Sequence, residues 1–355
     1  MKKIILGIFA VLVLVTAVQA QAPVAAYRVD GMWHFVDREG KDLFPPKKLH
    51  NIGGYSEGYI LIVKKEGARE SWGFMDSTGN NEYYVDNVDV LNLFHDGMAM
   101  TIKFKDPSGR DRLYGFINKA GEQIIPMKYL DATIFNEGLG WVMNFDERGY
   151  INKQGEFEIE ITEDKFGYPF FEGLAGIHND SAEFGFIDKS GKIVIEHQYD
   201  EVQYFSEGYC PVNINGKYGF INKEGESVVQ PQFDFVKPYE GDFAFAGSAD
   251  AQYKPVWGII DRNGNFVMQP EFQDTRDFEN GIACVSKYDK WFFVDNSGNR
   301  IFDEKYQHAD SFVNGIAYIN DGKKRAYIDL SGNVVFEIPE KADAVVDLRV
   351  NRVLK

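Results

Sequence analysis

The chain is poor in the residues that build disulfide frameworks and metal centres. It has only two cysteines, Cys210 and Cys284, and six histidines in 355 residues. No two histidines have the spacing that metal ligands share on one strand or helix. Cys210 lies two residues after Gly208 and Cys284 three after Gly281, so strand alternation would point the thiols to opposite faces. We therefore predict no disulfide, no metal site and no cofactor.

Long apolar runs are also lacking after the first twenty residues, so we expect no membrane span in the rest of the chain. Lys2 and Lys3 precede an apolar run over residues 4–15, and small side chains at Val18 and Ala20 suit a signal peptidase. The run is shorter than the roughly 20 residues of a membrane helix. We predict a secretory signal peptide at residues 1–20 and one mature domain at 21–355, exported to the periplasm, the cell surface or the medium.

Positive charge is scarce as well. The chain has 38 lysines and arginines against 54 aspartates and glutamates, which gives a formal net charge of −16. Because an acidic surface repels phosphates, this composition argues against nucleic acid as a partner.

Two short phrases recur along the whole chain. The first reads aromatic-Gly-Phe-Ile-Asp/Asn and ends at a glycine, and the second reads aromatic-x-Glu-Gly. Nine copies of the first begin at Trp33, Trp72, Tyr114, Arg148, Phe184, Tyr218, Trp257, Trp291 and Arg325. Their smallest spacing is 34 residues. A fixed period of this size indicates an array of stacked repeats.

The cleanest copy, residues 184–217, predicts four short strands and leaves no room for a helix. Its strands are "FGFID", "KIVIEHQYD", "EVQYF" and "YCPVNI". A glycine such as Gly191 occurs between the first two strands in all nine copies, which suits the left-handed position of a hairpin loop. A second glycine, such as Gly219, lies inside the first strand. We expect another segment to approach it closely, with an aromatic ring of a neighbouring unit over the bare backbone.

These phrases resemble the WG (KWG) repeats of bacterial proteins. The resemblance covers Tyr27 to about Phe336, and the motif "YGFINKAGEQIIP" is specific when repeated this often. Arg148 and Arg325 depart from it, because they replace the leading aromatic. The resemblance implies an all-β array of about nine repeats and frequent export, and it implies no enzyme activity.

The two ends of the array complement each other. "AAYRVDG" at the start matches a fourth strand, whereas "AYIDLSGNVVFEI" and "DAVVDLRV" at the end supply first, second and third strands. Pairing of the ends would close a propeller-like ring, although nine blades exceed the usual four to eight or so. An open β superhelix is the alternative.

Several strings look catalytic or metal-binding in isolation. "GYSEG" at residues 54–58 matches a nucleophile elbow, but it is one copy of the second phrase, and Ser206 stands in the same frame. "DSTGN", "DRNGN" and "DNSGN" resemble parts of calcium loops, yet aspartate in a hairpin turn more often bonds its own backbone. We predict no catalytic residues.

A regular series of glutamates precedes the glycine of the second phrase. Its members are Glu57, Glu137, Glu172, Glu207 and Glu240. They could form a ring of carboxylates, and we favour the simpler interpretation of solvated turn residues.

Functional residues are expected where the copies differ. Three joints between fourth and first strands are long, and the joints of an array project from one face, where binding usually occurs. Two of them carry a candidate anion-accepting patch for a polysaccharide or an acidic partner, formed by Lys64, Lys65, Arg69, Lys103, Lys105, Arg110 and Arg112. Ordinary charged loop tips are the simpler interpretation of these residues. The third position after the phrase glycine is variable too, and its aromatic occupants Trp141 and Tyr318 are candidate exposed ligand contacts.

The favoured function is an exported, non-enzymatic binding or scaffold module for a protein or glycan of the cell envelope. An enzyme of polysaccharide or peptide processing on a propeller-like scaffold is one alternative. A structural or adhesive surface protein is another, and it would be distinguished by self-association. The sequence leaves the identity of the ligand and the oligomeric state open.

Overall fold

Short antiparallel strands make up the protein from end to end. The computed structural model describes residues 22–106, 108–162 and 166–353. The predicted signal peptide, with its cleavage point after Ala20, lies outside these residues. Within them there are thirty-five β-strands and no helix that could cross a membrane. The all-β prediction is therefore confirmed.

The strands form nine small sheets, which we call blades 1 to 9. Blade 1 holds β1 (Ala25–Val29), β2 (Met32–Val36), β34 (Ala344–Asp347) and β35 (Arg352–Val353). The other blades follow in chain order. Blade 2 has β3 (Asn51–Ser56), β4 (Tyr59–Glu66), β5 (Arg69–Asp76) and β6 (Glu82–Tyr84); blade 3 has β7 (Val90–His95), β8 (Met98–Phe104), β9 (Arg112–Asn118) and β10 (Gln123–Tyr129); blade 4 has β11 (Asp131–Ala132), β12 (Gly140–Met143), β13 (Arg148–Ile151) and β14 (Phe157–Glu160).

The remaining blades repeat this order of four strands, except that blade 8 has three. Blade 5 has β15 (Phe166–Gly167), β16 (Leu174–His178), β17 (Phe184–Asp188) and β18 (Ile193–Tyr199); blade 6 has β19 (Glu201–Val202), β20 (Cys210–Ile214), β21 (Lys217–Ile221) and β22 (Ser227–Phe233); blade 7 has β23 (Phe235–Val236), β24 (Ala244–Ala249), β25 (Pro255–Ile260) and β26 (Phe266–Phe272); blade 8 has β27 (Asp274–Glu279), β28 (Ile282–Lys287) and β29 (Lys290–Asp295); blade 9 has β30 (His308–Ala309), β31 (Ile316–Asn320), β32 (Arg325–Asp329) and β33 (Val334–Ile338).

Each blade is out of phase with the sequence repeat. The copy at residues 184–217 supplies β17 and β18 to blade 5, and β19 and β20 to blade 6. The third and fourth strands of one copy therefore pair with the first and second strands of the next. Every copy thus links two blades covalently.

The chain ends meet in blade 1 and close the ring. Strand β1 pairs antiparallel with β34, and Tyr27 lies opposite Val345. Arg28 forms an ion pair with Asp343 at 2.8 Å across the same seam. The predicted ring is confirmed, and the open superhelix is wrong because each end completes the sheet that the other lacks.

The hydrophobic core is divided among the blade interfaces. The described residues form nine clusters of buried side chains, and each cluster joins two adjacent blades. The cluster between blades 9 and 1 packs Tyr318 and Tyr327 against Ala25 and Val345. No single blade buries both of its faces alone, so closure of the ring is what completes the core.

The two recurring glycines have different roles. Gly191 has a φ of +82°, as predicted for the hairpin, and a Cβ there would lie 2.7 Å from the side chain of Ile159 in blade 4. A Cβ on Gly219 would lie 2.3 Å from the carbonyl oxygen of Val229, on the outer strand of the same blade. A close approach is confirmed, but the expected aromatic ring from a neighbouring unit is wrong. The bulged outer strand of the same blade occupies that space.

Candidate binding site

The long joints connect the two central strands of their blades. They lie between β4 and β5, β8 and β9, and β24 and β25. Because successive strands of a blade alternate in direction, all three joints project from one face of the ring, as the sequence predicted. The turns of the second phrase lie on the opposite face.

The expected anion-accepting patch is largely neutralised by nearby carboxylates. Ion pairs join Lys64 to Glu82 at 2.7 Å, Lys65 to Glu70 at 3.6 Å, Lys103 to Asp89 at 3.3 Å and Lys105 to Asp111 at 3.3 Å. Arg112 faces Asp131, and its charge counteracts the rise that burial causes in the pKa of that carboxyl. Arg69 and Arg110 are exposed. These joints therefore present little uncompensated positive charge.

The third position after the phrase glycine, which we call the variable slot, faces the next blade. Its aromatic side chains were expected to be exposed ligand contacts. Trp141 and Tyr318 are both fully buried. Trp141 packs edge-on against Tyr150 at 5.3 Å and covers Gly167 of blade 5, where a Cβ would lie 2.6 Å from the indole ring. The prediction that both aromatics are exposed is wrong, because the side chains in this slot fill the interface between blades.

Blade 5 has a glycine in the variable slot, and Tyr168 and Val202 close around it, since a Cβ there would lie 3.0 Å from each. Gly176 of blade 5 occupies the position of Trp141, since it lies opposite Phe186 as Trp141 lies opposite Tyr150. A cavity of about 430 Å³ lies between blades 5 and 6 at this point. Its lining consists of Tyr168, Pro169, Phe171, Leu174, Gly176, Phe186, Glu201, Val202, Gln203 and Tyr204. We call this cavity the 5/6 cleft.

Aromatic rings form the outer walls of the 5/6 cleft. The rings of Phe171 and Tyr204 contact each other across the two blades with centroids 4.7 Å apart, and Tyr204 is 46% exposed. Tyr168 stacks on Phe184 with centroids 5.7 Å apart and an interplanar angle of 10°. Sequence reasoning missed these residues, although the glycine in the variable slot was a signal that could have located them.

Two polar side chains complete the lining. The exposed Glu201 accepts a short hydrogen bond from the Tyr218 hydroxyl, and Gln203 donates its amide to the carbonyl oxygen of Val236 at 3.4 Å. Burial raises the pKa of Tyr204, with smaller contributions from the carboxylates of Asp277 and Glu240. The cleft therefore combines flat apolar walls with acceptor groups in a negative environment.

Carboxylates of the second phrase join neighbouring blades instead of facing solvent. Four of them form an ion pair with a lysine of the following blade. The pairs are Glu57–Lys119 at 3.0 Å, Asp96–Lys153 at 2.6 Å, Glu137–Lys189 at 2.9 Å and Glu172–Lys223 at 3.0 Å. Glu172 also accepts from the backbone N–H of Gly208 in blade 6 at 3.1 Å. The interpretation as solvated turn residues is wrong for Glu57, Glu137 and Glu172, whose oxygens bind the next blade on two sides. Glu207 is 49% exposed and only approaches Arg262 of the next blade, at 3.9 Å.

Glu240 also departs from the common pattern of this series. It accepts from the backbone N–H of Phe278 in blade 8, and Lys237 beside it donates to the carbonyl oxygen of Thr275 at 2.8 Å. Burial, followed by the neighbouring Asp277 carboxylate, raises the pKa of Glu240 to about 7. This carboxyl therefore changes its charge near neutral pH.

Replacing Glu240 by glutamine should remove one source of pH-dependent stability. Because its pKa is raised from 4.5 to about 7 on folding, the wild type loses stability as the pH rises through this interval. We expect Glu240→Gln to be about 2 kcal/mol more stable than wild type at pH 8, after allowance for partial exposure, and similar at pH 4.5. Urea denaturation at both pH values measures this. Glu172→Gln is the matched control and should show no gain at pH 8.

The serine and aspartate motifs are structural. The Ser56 hydroxyl of "GYSEG" donates to the carbonyl oxygen of Phe94 at 2.6 Å, and Ser206 bonds the carbonyl oxygen of Tyr239 at 2.8 Å. Asp76 of "DSTGN" accepts from the backbone N–H groups of Thr78 and Asn80 in its own turn. Each motif thus stabilises its own turn or the adjacent blade.

Cys210 and Cys284 are buried as reduced thiols in different hydrophobic clusters. Burial raises the pKa of the Cys210 thiol, which packs as a small core residue. Across the described ranges no three histidine, cysteine, aspartate or glutamate side chains are placed to hold a metal ion.

A solved structure with a similar fold supports the architecture. The crystal structure of a eukaryotic initiation factor matches with a TM-score of 0.64 and 10% identity, covering 90% of this chain and 96% of that one. BamB from Moraxella catarrhalis matches with a TM-score of 0.33 and 8% identity, covering 91% and 84%. No curated protein matches the chain in sequence. At 10% identity the likeness to the initiation factor concerns the fold alone.

The repeats themselves belong to a known family. The family model for the WG containing repeat matches residues 114–144, 184–218, 218–246 and 257–291. Each of these segments begins with a copy of the first phrase and contains its glycines. The fold is a nine-bladed β-propeller. The four matched segments confirm the resemblance to WG repeats and are consistent with a WG repeat-containing protein.

Proposed function

We propose that this propeller is an exported, non-enzymatic binding module for a protein or glycan of the cell envelope. The 5/6 cleft is the observation that supports the proposal. The variable slot holds a glycine there, and partly exposed aromatic rings border a cavity beside the packed interface of blades 5 and 6. Cavities with apolar walls and a few polar groups are the usual form of a ligand site.

The rest of the ring serves to hold this site rigid. Blade 5 is held against blade 6 by the Glu172–Lys223 ion pair, by the hydrogen bond from the N–H of Gly208 to Glu172, and by a shared hydrophobic cluster. Tyr204 and Phe171 therefore keep their positions without a ligand, which lowers the entropy cost of binding. A scaffold of this kind gains function through variation at a few positions.

Capture from the native cell envelope tests the proposal. Immobilised mature protein would be crosslinked to isolated envelope, and wild type would be compared with Tyr204→Ala. Tyr253→Ala is the matched control, because Tyr253 is 87% exposed in a joint away from the cleft. We expect one protein or polysaccharide to be retained by wild type and control and depleted with Tyr204→Ala. Turnover of a bound polymer, or self-association of the purified chain in sedimentation, would contradict the proposal.

A further inference from the structure

We propose that the 5/6 cleft binds an uncharged saccharide ring. This inference rests on the binding function proposed above and names its ligand. A sugar ring has one flat face of C–H groups and a rim of hydroxyls. The cleft has the complementary parts, namely the flat walls of Tyr204 and Tyr168 and the polar groups of Glu201 and Gln203.

The walls are suited to the apolar face of a sugar. The negative face of an aromatic ring attracts the weakly positive C–H groups of a ring packed on it. Tyr204 is braced by Phe171 and Tyr168 by Phe184, so neither ring must be ordered on binding. The volume of about 430 Å³ lies in the lower part of the small-molecule range of roughly 300–1,000 Å³.

The polar groups are suited to hydroxyls. Glu201 accepts the Tyr218 hydroxyl and keeps further lone pairs, because an ionised carboxylate offers about four acceptor positions. Gln203 adds an amide with both a donor and an acceptor. Its bond to Val236 is long, at 3.4 Å, so little is lost when the amide turns to a ligand.

The backbone of the cleft is not available to a peptide. Three backbone N–H groups of the cleft already donate to backbone carbonyl oxygens. Tyr168 donates to Gly176 at 2.8 Å, Phe171 to Leu174 at 2.9 Å, and Gln203 to Pro211 at 3.0 Å. A peptide added as a strand needs unpaired main-chain groups along the edge that it joins. Recognition in this cleft therefore depends on side chains.

The electrostatic environment selects against acidic ligands. Glu201 lines the cleft, the carboxylates of Asp277 and Glu240 act on Tyr204, and the whole chain carries a net charge of −16. A uronic acid or a phosphorylated sugar would place like charges together. A neutral ring avoids this cost.

Calorimetric titration of the purified mature protein tests the assignment. The probes are neutral oligosaccharides of glucose, mannose and N-acetylglucosamine, with oligogalacturonate as the anionic counterpart, each up to about 10 mM. We expect one neutral series to bind, Tyr204→Ala to weaken it about tenfold, and Tyr253→Ala to leave it within about twofold. Oligogalacturonate should bind at least about tenfold more weakly, and Glu201→Gln should narrow that difference.

The assignment is overturned if no neutral series binds, if Tyr204→Ala binds as well as wild type, or if oligogalacturonate binds equally well. These failures remain distinct from failure of the binding function. An envelope partner that depends on Tyr204, together with no saccharide binding, would keep the site and remove only the ligand class. Loss of both results would remove both proposals.

Discussion

Replacing Arg349 by alanine should lower the free energy of unfolding by about 3–5 kcal/mol, because it leaves a buried carboxylate without its cation. Arg349 donates through Nε to Asp347 at 3.0 Å, and both side chains are almost wholly buried. The Tyr327 hydroxyl also donates to Asp347, at 3.2 Å. The guanidinium reaches into blade 9, where it bonds the carbonyl oxygens of Val313 at 2.9 Å and Ile316 at 2.6 Å. The Arg349 side chain thus joins blade 9 to the C-terminal part of blade 1.

Chemical denaturation of the purified variants measures this effect. Arg28→Ala is the matched control. Arg28 pairs with Asp343 in blade 1, where the chain ends meet, but both side chains are partly exposed. An exposed pair contributes about 0–1 kcal/mol, so the control should unfold close to wild type. Equal stability of the two variants would show that the buried pair does not stabilise the contact between blades 9 and 1. Arg349→Lys should be nearly as damaging as alanine, since an ammonium cannot bond Asp347 and two carbonyls in the same geometry.

The sequence predicted the ring because its signals are local and repeated. A hairpin glycine such as Gly191 must take a positive φ, and nine such glycines mark nine hairpins. The complementary ends followed from the same count, and β1 does pair with β34. Arg349 could not be found in this way. It lies after the last copy of the first phrase, outside the repeated pattern, and the carbonyl oxygens that it bonds belong to residues 36 and 33 positions earlier in blade 9.

The candidate site was predicted only in part. The variable slot was identified correctly as the place to look, but the interpretation of its occupants was reversed. Trp141 was expected to contact a ligand, whereas it fills the interface between blades 4 and 5. Gly176 was passed over, although it lines the 5/6 cleft. A single copy of the repeat does not show which face of a strand meets the next blade, so burial of this slot could not be read from the pattern.

The glutamates of the second phrase were misjudged for a similar reason. Glu172 precedes a turn glycine, and such a position is usually solvated. Its lysine partner, Lys223, lies 51 residues further along the chain and belongs to the next blade. Only the angle between adjacent blades brings the two side chains together. Pairing across a repeat array therefore depends on geometry that the repeat unit alone does not contain.

Replacing Trp141 by alanine should lower the free energy of unfolding by about 3–5 kcal/mol, as for other large aromatic side chains removed from a core. The indole ring is fully buried between Tyr150 and Gly167, and its loss leaves a cavity between blades 4 and 5. Trp141→Phe is the conservative control. The indole N–H has no hydrogen-bond partner among the described residues, so phenylalanine loses little and should cost under about 1.5 kcal/mol. Urea denaturation of both variants gives the comparison.

Trp141 and Tyr204 then separate packing from binding. Trp141→Ala should unfold more easily and, where it remains folded, retain the ligand of the 5/6 cleft, because Trp141 does not line that cleft. Tyr204→Ala should behave in the opposite way, since a side chain that is 46% exposed contributes little to the core. If Trp141→Ala instead kept its stability and lost the envelope partner, the indole ring would be a ligand contact. The two variants therefore test whether the ligand binds at the position that Trp141 fills or in the 5/6 cleft.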